Sequence, residues 1–267
     1  MLKYLRLVFT AGLRILWDWL FYILRYAKHP ERYPLEKRYA KVHKLIVYVV
    51  DCYRVDFKVK GLEHLRRLEA SDKPYLMCAN HESNMDPIVM LYFCEKPISF
   101  VAKKETEKFP FVGKIIKSID GLFMDRDDLR QSLRVMIELG KRLENGKLSY
   151  LIFPEGTRNK DMDKSLLLPY KPGALKAAKK AGVAILPSCM YGNERILPMR
   201  PNDKRIPVEL TFFEPLDQNM VKENDTEAIA EKVMEITEAE LKLQIASNQD
   251  FFEKGYQKIP RRKGKLR

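Results

Sequence analysis

A histidine and an aspartate five residues apart are the side chains whose types and spacing most directly suggest chemistry. His81 and Asp86 lie in the stretch CANHESNMDPIVM, residues 78–90, which continues an apolar run and contains Pro87 directly after the aspartate. A carboxylate that accepts the Nδ1–H of an imidazole fixes the ring tautomer and stabilises the imidazolium, which leaves Nε2 free to take a proton. The pair therefore predicts a general base, with His81 as the base and Asp86 as its orienting partner.

A purely structural role for Asp86 is the alternative. Proline favours the first position of a helix, so an aspartate before Pro87 is a natural N-cap for a helix over Ile88–Phe93. A separation of five places two side chains roughly 140° apart on a regular helix, so His81 and Asp86 can meet only in a tight strand-to-helix turn. The capping role would explain Asp86 but leaves His81 unexplained.

Two nearby side chains are candidate nucleophiles for a covalent route, Cys78 and Ser83. Cys78 belongs to the apolar run YLMCA and is expected to be a buried strand residue. Ser83 has no G-x-S-x-G elbow around it. The favoured mechanism is therefore direct: His81 takes the proton from a substrate hydroxyl, which itself attacks.

From Val55 onward, short apolar runs alternate with helical stretches, which predicts an α/β fold with a mostly parallel sheet flanked by helices. The predicted strands are Val55–Lys60, Tyr75–Ala79, Ile98–Ala102, Leu122–Met124, Tyr150–Phe153, Ile185–Met190 and Val208–Phe213. The predicted helices after Val55 are Ile88–Phe93, Phe111–Ser118, Leu129–Asn145, Ala174–Ala181 and Thr226–Leu243.

Ligands in open α/β sheets gather at the carboxyl ends of the strands. Four predicted strands are followed there by polar, mostly basic groups: His81, Lys103, Asp125 with Arg126, and the run PEGTR that contains Glu155, Gly156, Thr157 and Arg158. A shared rim with a histidine, a carboxylate, a lysine and two arginines predicts an anion-handling active site. Surface ion pairing of the arginines with Asp125, Asp127 or Glu155 is the structural alternative.

The stretches NHESNMD, GLFMDRD, FPEGTRN and AILPSCM, in this order between residues 75 and 190, resemble the four sequence blocks of the glycerolipid acyltransferase superfamily, and within it the bacterial lysophosphatidic acid acyltransferases. The resemblance implies transfer of a fatty acyl group from coenzyme A or acyl carrier protein to lysophosphatidic acid, without metal or cofactor. It also implies phosphate contacts from Lys103, Arg126 and Arg158.

The same resemblance implies an acceptor-binding turn at Glu155 and Gly156, with Thr157 beside them among the substrate-binding residues. Glu155 has a second interpretation, as a salt-bridge partner that orients Arg158. Two rival functions stay open: an acyltransferase acting on glycerol-3-phosphate or another lysophospholipid, and a non-enzymatic protein that binds lipids or polyanions through its basic ends.

The net charge of +13 comes from 49 basic and 36 acidic residues and is concentrated at the two ends of the chain. Residues 1–45 hold ten Lys/Arg and three Asp/Glu, and residues 251–267 hold seven and one, so the middle is balanced at 32 of each. Basic ends of this kind predict attraction to nucleic acid or to an anionic bilayer.

Residues 1–26 favour the bilayer and not nucleic acid as the partner. They are dense in Leu, Phe, Tyr and Trp but contain no uninterrupted apolar run near the ~20 residues that a bilayer crossing needs. This pattern predicts an amphipathic helix in the membrane interface, with Trp17, Trp19 and Tyr22 at headgroup depth. A signal-anchor or a buried helix is the alternative, and residues 35–53 are expected to be either a second docking helix or a core helix.

Three segments are predicted: membrane-docking helices over residues 1–54, an α/β acyltransferase domain over residues 55–250, and a basic tail over residues 251–267. The four cysteines show no C-x-x-C spacing, and no cleavable export signal stands out, which predicts a reducing, cytosolic setting. The expected location is the cytoplasmic face of the cell membrane, as a peripheral or monotopic protein.

Overall fold

The computed structural model describes residues 12–146, 148–159, 165–197 and 206–253. Seven strands in this part of the chain form one sheet. They are β1 (Val55–Lys60), β2 (Tyr75–Ala79), β3 (Ile98–Lys103), β4 (Leu122–Met124), β5 (Ser149–Ile152), β6 (Ala184–Tyr191) and β7 (Ile206–Phe212). All seven predicted strands are present, with ends that differ by at most two residues.

The strands lie in the order β1-β7-β6-β2-β5-β3-β4. Every neighbouring pair is parallel except β6 and β7, which are antiparallel. The prediction of a mostly parallel sheet is confirmed. Because β2, β3, β4, β5 and β6 all run the same way, their carboxyl ends meet at one edge, and the residues that follow these strands are brought together there.

The helices flank the sheet. They are α1 (residues 12–28, with a π-helical middle at Trp19–Ile23 and a last turn at Leu24–Lys28), α2 (Leu35–Cys52), α3 (Leu62–Ala70), α4 (Asp86–Phe93), α5 (Val112–Ser118), α6 (Leu129–Glu144), α7 (Lys176–Ala181), α8 (Gln218–Glu223) and α9 (Thr226–Glu253). The predicted helices are all present, whereas α3 and the six-residue α8 were not predicted. Helix α9 extends ten residues beyond its predicted end.

The strand β2 shows that the sheet has an apolar core on each of its two faces. All five of its residues are buried, and alternate side chains enter different apolar clusters. Tyr75 and Met77 belong to the cluster on one face, and Leu76 and Cys78 to the cluster on the other. A central parallel strand covered on both faces reads as a continuous apolar run, which is why its position could be predicted.

Helices α1 and α2 pack on the first face, together with α4, and α6, α7 and α9 pack on the second. Arg38 of α2 is buried and forms a bidentate ion pair with Asp120, at 2.9 and 2.7 Å, while also donating to the carbonyl of Ser118. The segment 35–53 is therefore a helix with one side in the core.

Helix α1 is anchored through its single buried carboxylate. Asp18 is ion-paired with Arg14 at 3.0 Å and with Lys41 of α2 at 2.8 Å, and Ile23 is fully buried in the core. Trp17 is exposed, whereas Trp19 stacks on Phe111. None of the helices in the described ranges combines the length and apolarity that a bilayer crossing requires. Residues 1–11 and 254–267, which include most of the predicted basic tail, lie outside the described residues.

Candidate active site

Two loops begin side by side at the carboxyl edge of the sheet, because β2 pairs with β5 and Cys78 lies opposite Ile152. The loop after β2 carries His81, and the loop after β5 carries the residues from Pro154 to Arg158. The neighbouring strand β6 fixes the first loop in place. Asn80 is fully buried and exchanges two 2.9 Å hydrogen bonds with the backbone of Met190, one from its side-chain amide and one to its side-chain oxygen.

The backbone of His81 is held on both sides by the loop after β5. Its N–H donates to Oε1 of Glu155 at 2.6 Å, and its carbonyl accepts from the N–H of Asn159 at 2.8 Å. The imidazole stacks on the ring of Phe153, with a centroid distance of 4.1 Å and an interplanar angle of 16°. The position and plane of the ring are thus set by three residues from one loop.

Glu155 is buried, and its carboxylate faces backbone donors. Besides the N–H of His81, it accepts the N–H of Leu168 at 3.2 Å through Oε2. No ion pair between Glu155 and Arg158 is found among the described residues. Both carboxylate oxygens of Glu155 thus accept backbone N–H groups, and the bond from His81 ties the two loops together.

Asp86 is completely buried and accepts hydrogen bonds through both oxygens. Oδ2 receives the Nδ1–H of His81 at 2.7 Å and the backbone N–H groups of Glu82 at 2.7 Å and Ser83 at 2.8 Å. Oδ1 receives the side-chain amide of Asn193 at 3.0 Å. All four partners are donors, as a carboxylate requires.

The prediction that Asp86 is the N-cap of the following helix is wrong. Asp86 is the first residue of α4 itself, after Met85, and its side chain accepts no N–H from the helix that it begins. The two backbone bonds that it does accept come from the residues just after His81. They fold the loop back, and this brings a residue five positions away within 2.7 Å of the imidazole.

The tautomer of His81 follows from this contact. A carboxylate can only accept, so the bond to Asp86 requires the proton on Nδ1 and leaves the lone pair on Nε2. The side chain of His81 is 12% exposed, and no described residue forms a hydrogen bond with Nε2. Nε2 is therefore open to contact by a hydroxyl group.

A second carboxyl group lies beside this pair. Glu82 is buried, and its carboxyl group lies against the side chain of Glu194 and the backbone of Gly192. Burial, the adjacent carboxylate of Glu194 and that of Asp86 raise the pKa of Glu82 well above its ordinary value. The raised pKa of Glu82 favours its neutral form over a second negative charge next to Asp86.

The predicted cations follow the strands at the same edge. The side chain of Arg126 is exposed, but surrounding residues remove part of its hydration, and this desolvation lowers its pKa. Glu105 opposes the decrease in pKa, and the nearby guanidinium of Arg158 adds to it. No ion pair or hydrogen bond joins either arginine to another described residue. Two like charges without an acidic partner are what a dianionic ligand would neutralise.

Two nearby acidic residues pair with lysines instead of the arginines. Asp125 is ion-paired with Lys104 at 3.0 Å, which lowers the pKa of Asp125. Lys103 is exposed at the end of β3 and pairs with Glu105 at 2.8 Å. The alternative of surface pairing therefore applies to the lysines and not, within the described residues, to Arg126 or Arg158.

Gly156 lets the loop after β5 turn with a backbone conformation that favours glycine. Its φ is +73°, in the left-handed region that favours glycine. A side chain at this position would also crowd Lys171, because a Cβ built on Gly156 would lie 2.9 Å from Nζ of that lysine. Thr157 is exposed beside the turn. Lys171 thus adds an ammonium group next to the residues expected to contact the substrate.

The two candidate nucleophiles are unsuited to a covalent route. Burial raises the pKa of the Cys78 thiol, as expected for a strand residue with no exposed surface. Ser83 is buried, and its hydroxyl accepts the N–H of Met85 at 3.1 Å. Within the described ranges, no three His, Cys, Asp or Glu side chains come together as metal ligands would.

Sequence reasoning missed Asn193, Phe153, Asn159 and Lys171. Asn193 could have been predicted, because it lies two residues beyond the end of β6, and ligands in such sheets gather at the carboxyl ends of the strands. Phe153 and Asn159 act through ring stacking and a backbone N–H, which residue type does not reveal.

Comparison with known proteins decides the family. The sequence model described as "Acyltransferase" matches residues 56–191, about half of the chain, and these residues include the whole His81–Asp86 turn and the loop after β5. The chain belongs to this acyltransferase family.

Curated relatives and a solved structure to which the chain is similar are also acyltransferases. The chain is 28% identical over 221 residues to a probable 1-acyl-sn-glycerol-3-phosphate acyltransferase from Mycoplasma pneumoniae, covering 78% of this chain and 79% of that protein. It is 33% identical over 171 residues to the 1-acyl-sn-glycerol-3-phosphate acyltransferase of Haemophilus influenzae, covering 62% and 69%. The crystal structure of the 1-acyl-sn-glycerophosphate (LPA) acyltransferase from Thermotoga maritima superposes with a TM-score of 0.69 at 26% identity, over 92% of this chain and 95% of that one.

Proposed function

We propose that this acyltransferase transfers a fatty acyl group from a thioester, acyl-CoA or acyl carrier protein, to the sn-2 hydroxyl of lysophosphatidic acid and produces phosphatidic acid. The observation that carries the proposal is the 2.7 Å contact between Nδ1 of His81 and Oδ2 of Asp86, at the same sheet edge as Arg126 and Arg158. The names of the relatives supply the acceptor, and the paired charges at this edge suit its phosphate.

In the proposed reaction, Nε2 of His81 removes the proton from the acceptor hydroxyl as its oxygen attacks the thioester carbonyl. Asp86 stabilises the imidazolium that results. The tetrahedral intermediate collapses with cleavage of the C–S bond, and the departing thiolate takes the proton from Nε2. The ester and the free thiol leave, and His81 returns to its starting tautomer.

Positioning is the second part of the proposal. A phosphomonoester carries close to two negative charges at neutral pH, and the planar guanidinium groups of Arg126 and Arg158 can each grip two of its oxygens. Lys103 adds a point charge once it leaves Glu105. A clamped phosphate would hold the hydroxyl near His81, so that much of the rate acceleration comes from orientation.

The acceptor and donor are tested together by measuring acyl transfer to lysophosphatidic acid and to glycerol-3-phosphate, each with coenzyme A and carrier-protein thioesters. We expect turnover with lysophosphatidic acid, near-complete loss in His81→Ala, and a raised acceptor KM in Arg158→Ala. His64→Ala is the matched control, because His64 also contacts a carboxylate, Glu214 at 2.9 Å, but lies on α3. Full activity in His81→Ala would refute the base, and turnover of glycerol-3-phosphate alone would refute the acceptor.

The location proposed for this enzyme is the cytoplasmic face of the cell membrane, with α1 lying in the interface. Its exposed apolar side chains are Leu13, Leu16, Trp17, Leu20, Phe21 and Tyr22. Deleting the segment would remove the buried Ile23, so substitution is the better test. We expect Trp17→Ser with Phe21→Ser to weaken sedimentation with anionic vesicles while acyl transfer to detergent-dispersed acceptor persists; unchanged sedimentation would refute docking through α1.

A further inference from the structure

Helix α6 carries two rows of apolar side chains, one buried and one exposed. Its inner face fills the core with Val135, Leu139 and Leu143. Its outer face presents Leu129, Leu133 and Ile137, which are 83%, 60% and 41% exposed. Each set recurs every four residues, and the central residues of the two rows, Leu139 and Leu133, lie roughly 120° apart around the helix.

An outer apolar row is not explained by the fold. A helix on the surface of a soluble protein normally places polar residues opposite its core face, and a contiguous exposed apolar row marks a contact surface. The three side chains of this row have no described partner that covers them. We call Leu129, Leu133 and Ile137, with Arg130 and Arg134 beside them, the outer face of α6.

The outer face of α6 begins at the active-site edge. Leu129 is the first residue of the helix and lies three residues after Arg126, just beyond the carboxyl end of β4. Exposure is highest there and decreases along the helix away from the site. The neighbouring strand β3 is followed at the same edge by two more exposed apolar side chains, Phe109 and Val112.

Two basic side chains lie beside the row. Arg130 and Arg134 are exposed on the adjacent row of the helix and form no ion pair with a described residue. The carboxylate that follows on that row, Glu138, is held by Arg142 at 2.8 Å. Leucines flanked by free arginines are the composition of a helix that enters an anionic lipid interface, where the guanidinium groups stay at headgroup level.

We propose that the outer face of α6 is a membrane contact that docks on anionic lipid. It is separate from the contact proposed for α1, because α1 packs on one face of the sheet and α6 on the other. A bilayer suits it better than a protein partner, since Arg130 and Arg134 beside the exposed leucines can meet anionic headgroups. The active-site edge, where Leu129 begins the helix, then faces the membrane.

The test is sedimentation of the full-length protein with two vesicles, phosphatidylcholine alone and phosphatidylcholine with about one third phosphatidylglycerol. The apolar variant is Leu129→Ser, Leu133→Ser and Ile137→Ser together, and the charge variant is Arg130→Gln with Arg134→Gln. We expect the apolar variant to lose at least about tenfold in partitioning to both vesicles. The charge variant is expected to lose severalfold only with the anionic vesicle, and this loss to vanish in high salt.

The matched control is Leu243→Ser on α9, which removes a leucine that is 61% exposed but on another element. Contributions from separate surfaces multiply in the partition coefficient, so a contact through α1 does not hide the loss. Wild-type partitioning in both variants would overturn the proposal. So would unchanged partitioning with a raised KM for carrier-protein thioesters, which would assign the face to an acidic protein. Vesicle binding needs no acyl transfer, so it can fail or succeed independently of the proposed reaction.

Discussion

The side-chain amide of Asn193 donates a 3.0 Å hydrogen bond to Oδ1 of Asp86, on the oxygen that His81 does not use. Asn193 is fully buried and follows Gly192, whose φ of +99° lets the chain leave β6 and turn back toward the site. The carboxylate is thereby held from both sides, and the orientation of His81 depends on a residue 107 positions away from Asp86.

We expect Asn193→Ala to lower kcat by about tenfold, because one net hydrogen bond to a charged group contributes about 1.5 kcal/mol. The loss should appear in kcat with little change in the acceptor KM, because Asn193 acts through Asp86. A merely structural role would lower the stability and leave the kcat of the folded enzyme in place. Asn224→Ala, which removes an exposed amide just after α8, is the control; equal kcat values for the two variants would refute positioning by Asn193.

Glu155 provides a second test of positioning against substrate binding. Glu155→Gln keeps the size of the side chain but provides one acceptor oxygen for the N–H groups of His81 and Leu168, so one bond is lost. An unsatisfied buried N–H costs about 1–3 kcal/mol. We expect a fall in kcat of about tenfold or more with little change in acceptor KM, measured by steady-state kinetics. A raised KM at unchanged kcat would instead support direct contact with the acceptor.

The strands could be predicted because each buried parallel strand is an apolar run that ends in polar residues. β2 is the clearest case, since its five residues are all buried and His81 follows two residues later. The end of α9 was predicted wrongly because its last buried residues are polar. Gln244 and Asn248 look like solvent-facing residues, but they are buried and bind Thr211 and Glu209 on β7, so the helix continues across the sheet.

At the site, too, contacts between residues far apart in the sequence could not be predicted. His81 and Asp86 are five residues apart, so their contact was within reach of local reasoning. The partners that hold them, Glu155 and Asn193, are 74 and 107 residues distant and have no periodic pattern. The alternative of a capping role for Asp86 was wrong because capping depends on which backbone N–H groups lie nearest, and in this turn they belong to Glu82 and Ser83 and not to the helix.

Glu82 should make the stability of the protein depend on pH. Burial, Glu194 and Asp86 raise the pKa of Glu82 in the folded state. The other titratable groups facing this cluster are Arg195, which pairs with Glu194 at 3.2 Å, Tyr191 and Cys189. The folded state therefore binds one proton more than the unfolded chain as soon as the pH exceeds the ordinary glutamate pKa of 4.5, and the free energy of unfolding falls with rising pH.

We expect Glu82→Gln to remove this fall in the free energy of unfolding with pH, because glutamine keeps the shape of the side chain and cannot ionise. From about the ordinary glutamate pKa of 4.5 upward the variant should gain stability relative to the wild type, by up to about 1.4 kcal/mol for each pH unit, until the pH passes the raised pKa of Glu82. Urea unfolding at a series of pH values measures it. Glu231→Gln, at an exposed position of α9, should show no such trend; a pH-independent difference between Glu82→Gln and the wild type would show that Glu82 is ionised in the fold.

Gly156 and Gly146 form a matched pair that separates backbone strain from crowding at the site. Their φ values are +73° and +74°, but only at Gly156 would a Cβ meet another atom, Nζ of Lys171 at 2.9 Å. We expect both alanine variants to lose about 1–2 kcal/mol of stability from the left-handed backbone. Only Gly156→Ala displaces the ammonium group, so only this variant should raise the acceptor KM, by about tenfold if one charge-assisted contact to phosphate is lost. Lys171→Ala should reproduce the rise in KM without the loss of stability, whereas equal KM values in the two glycine variants would place the ammonium group of Lys171 outside the substrate site.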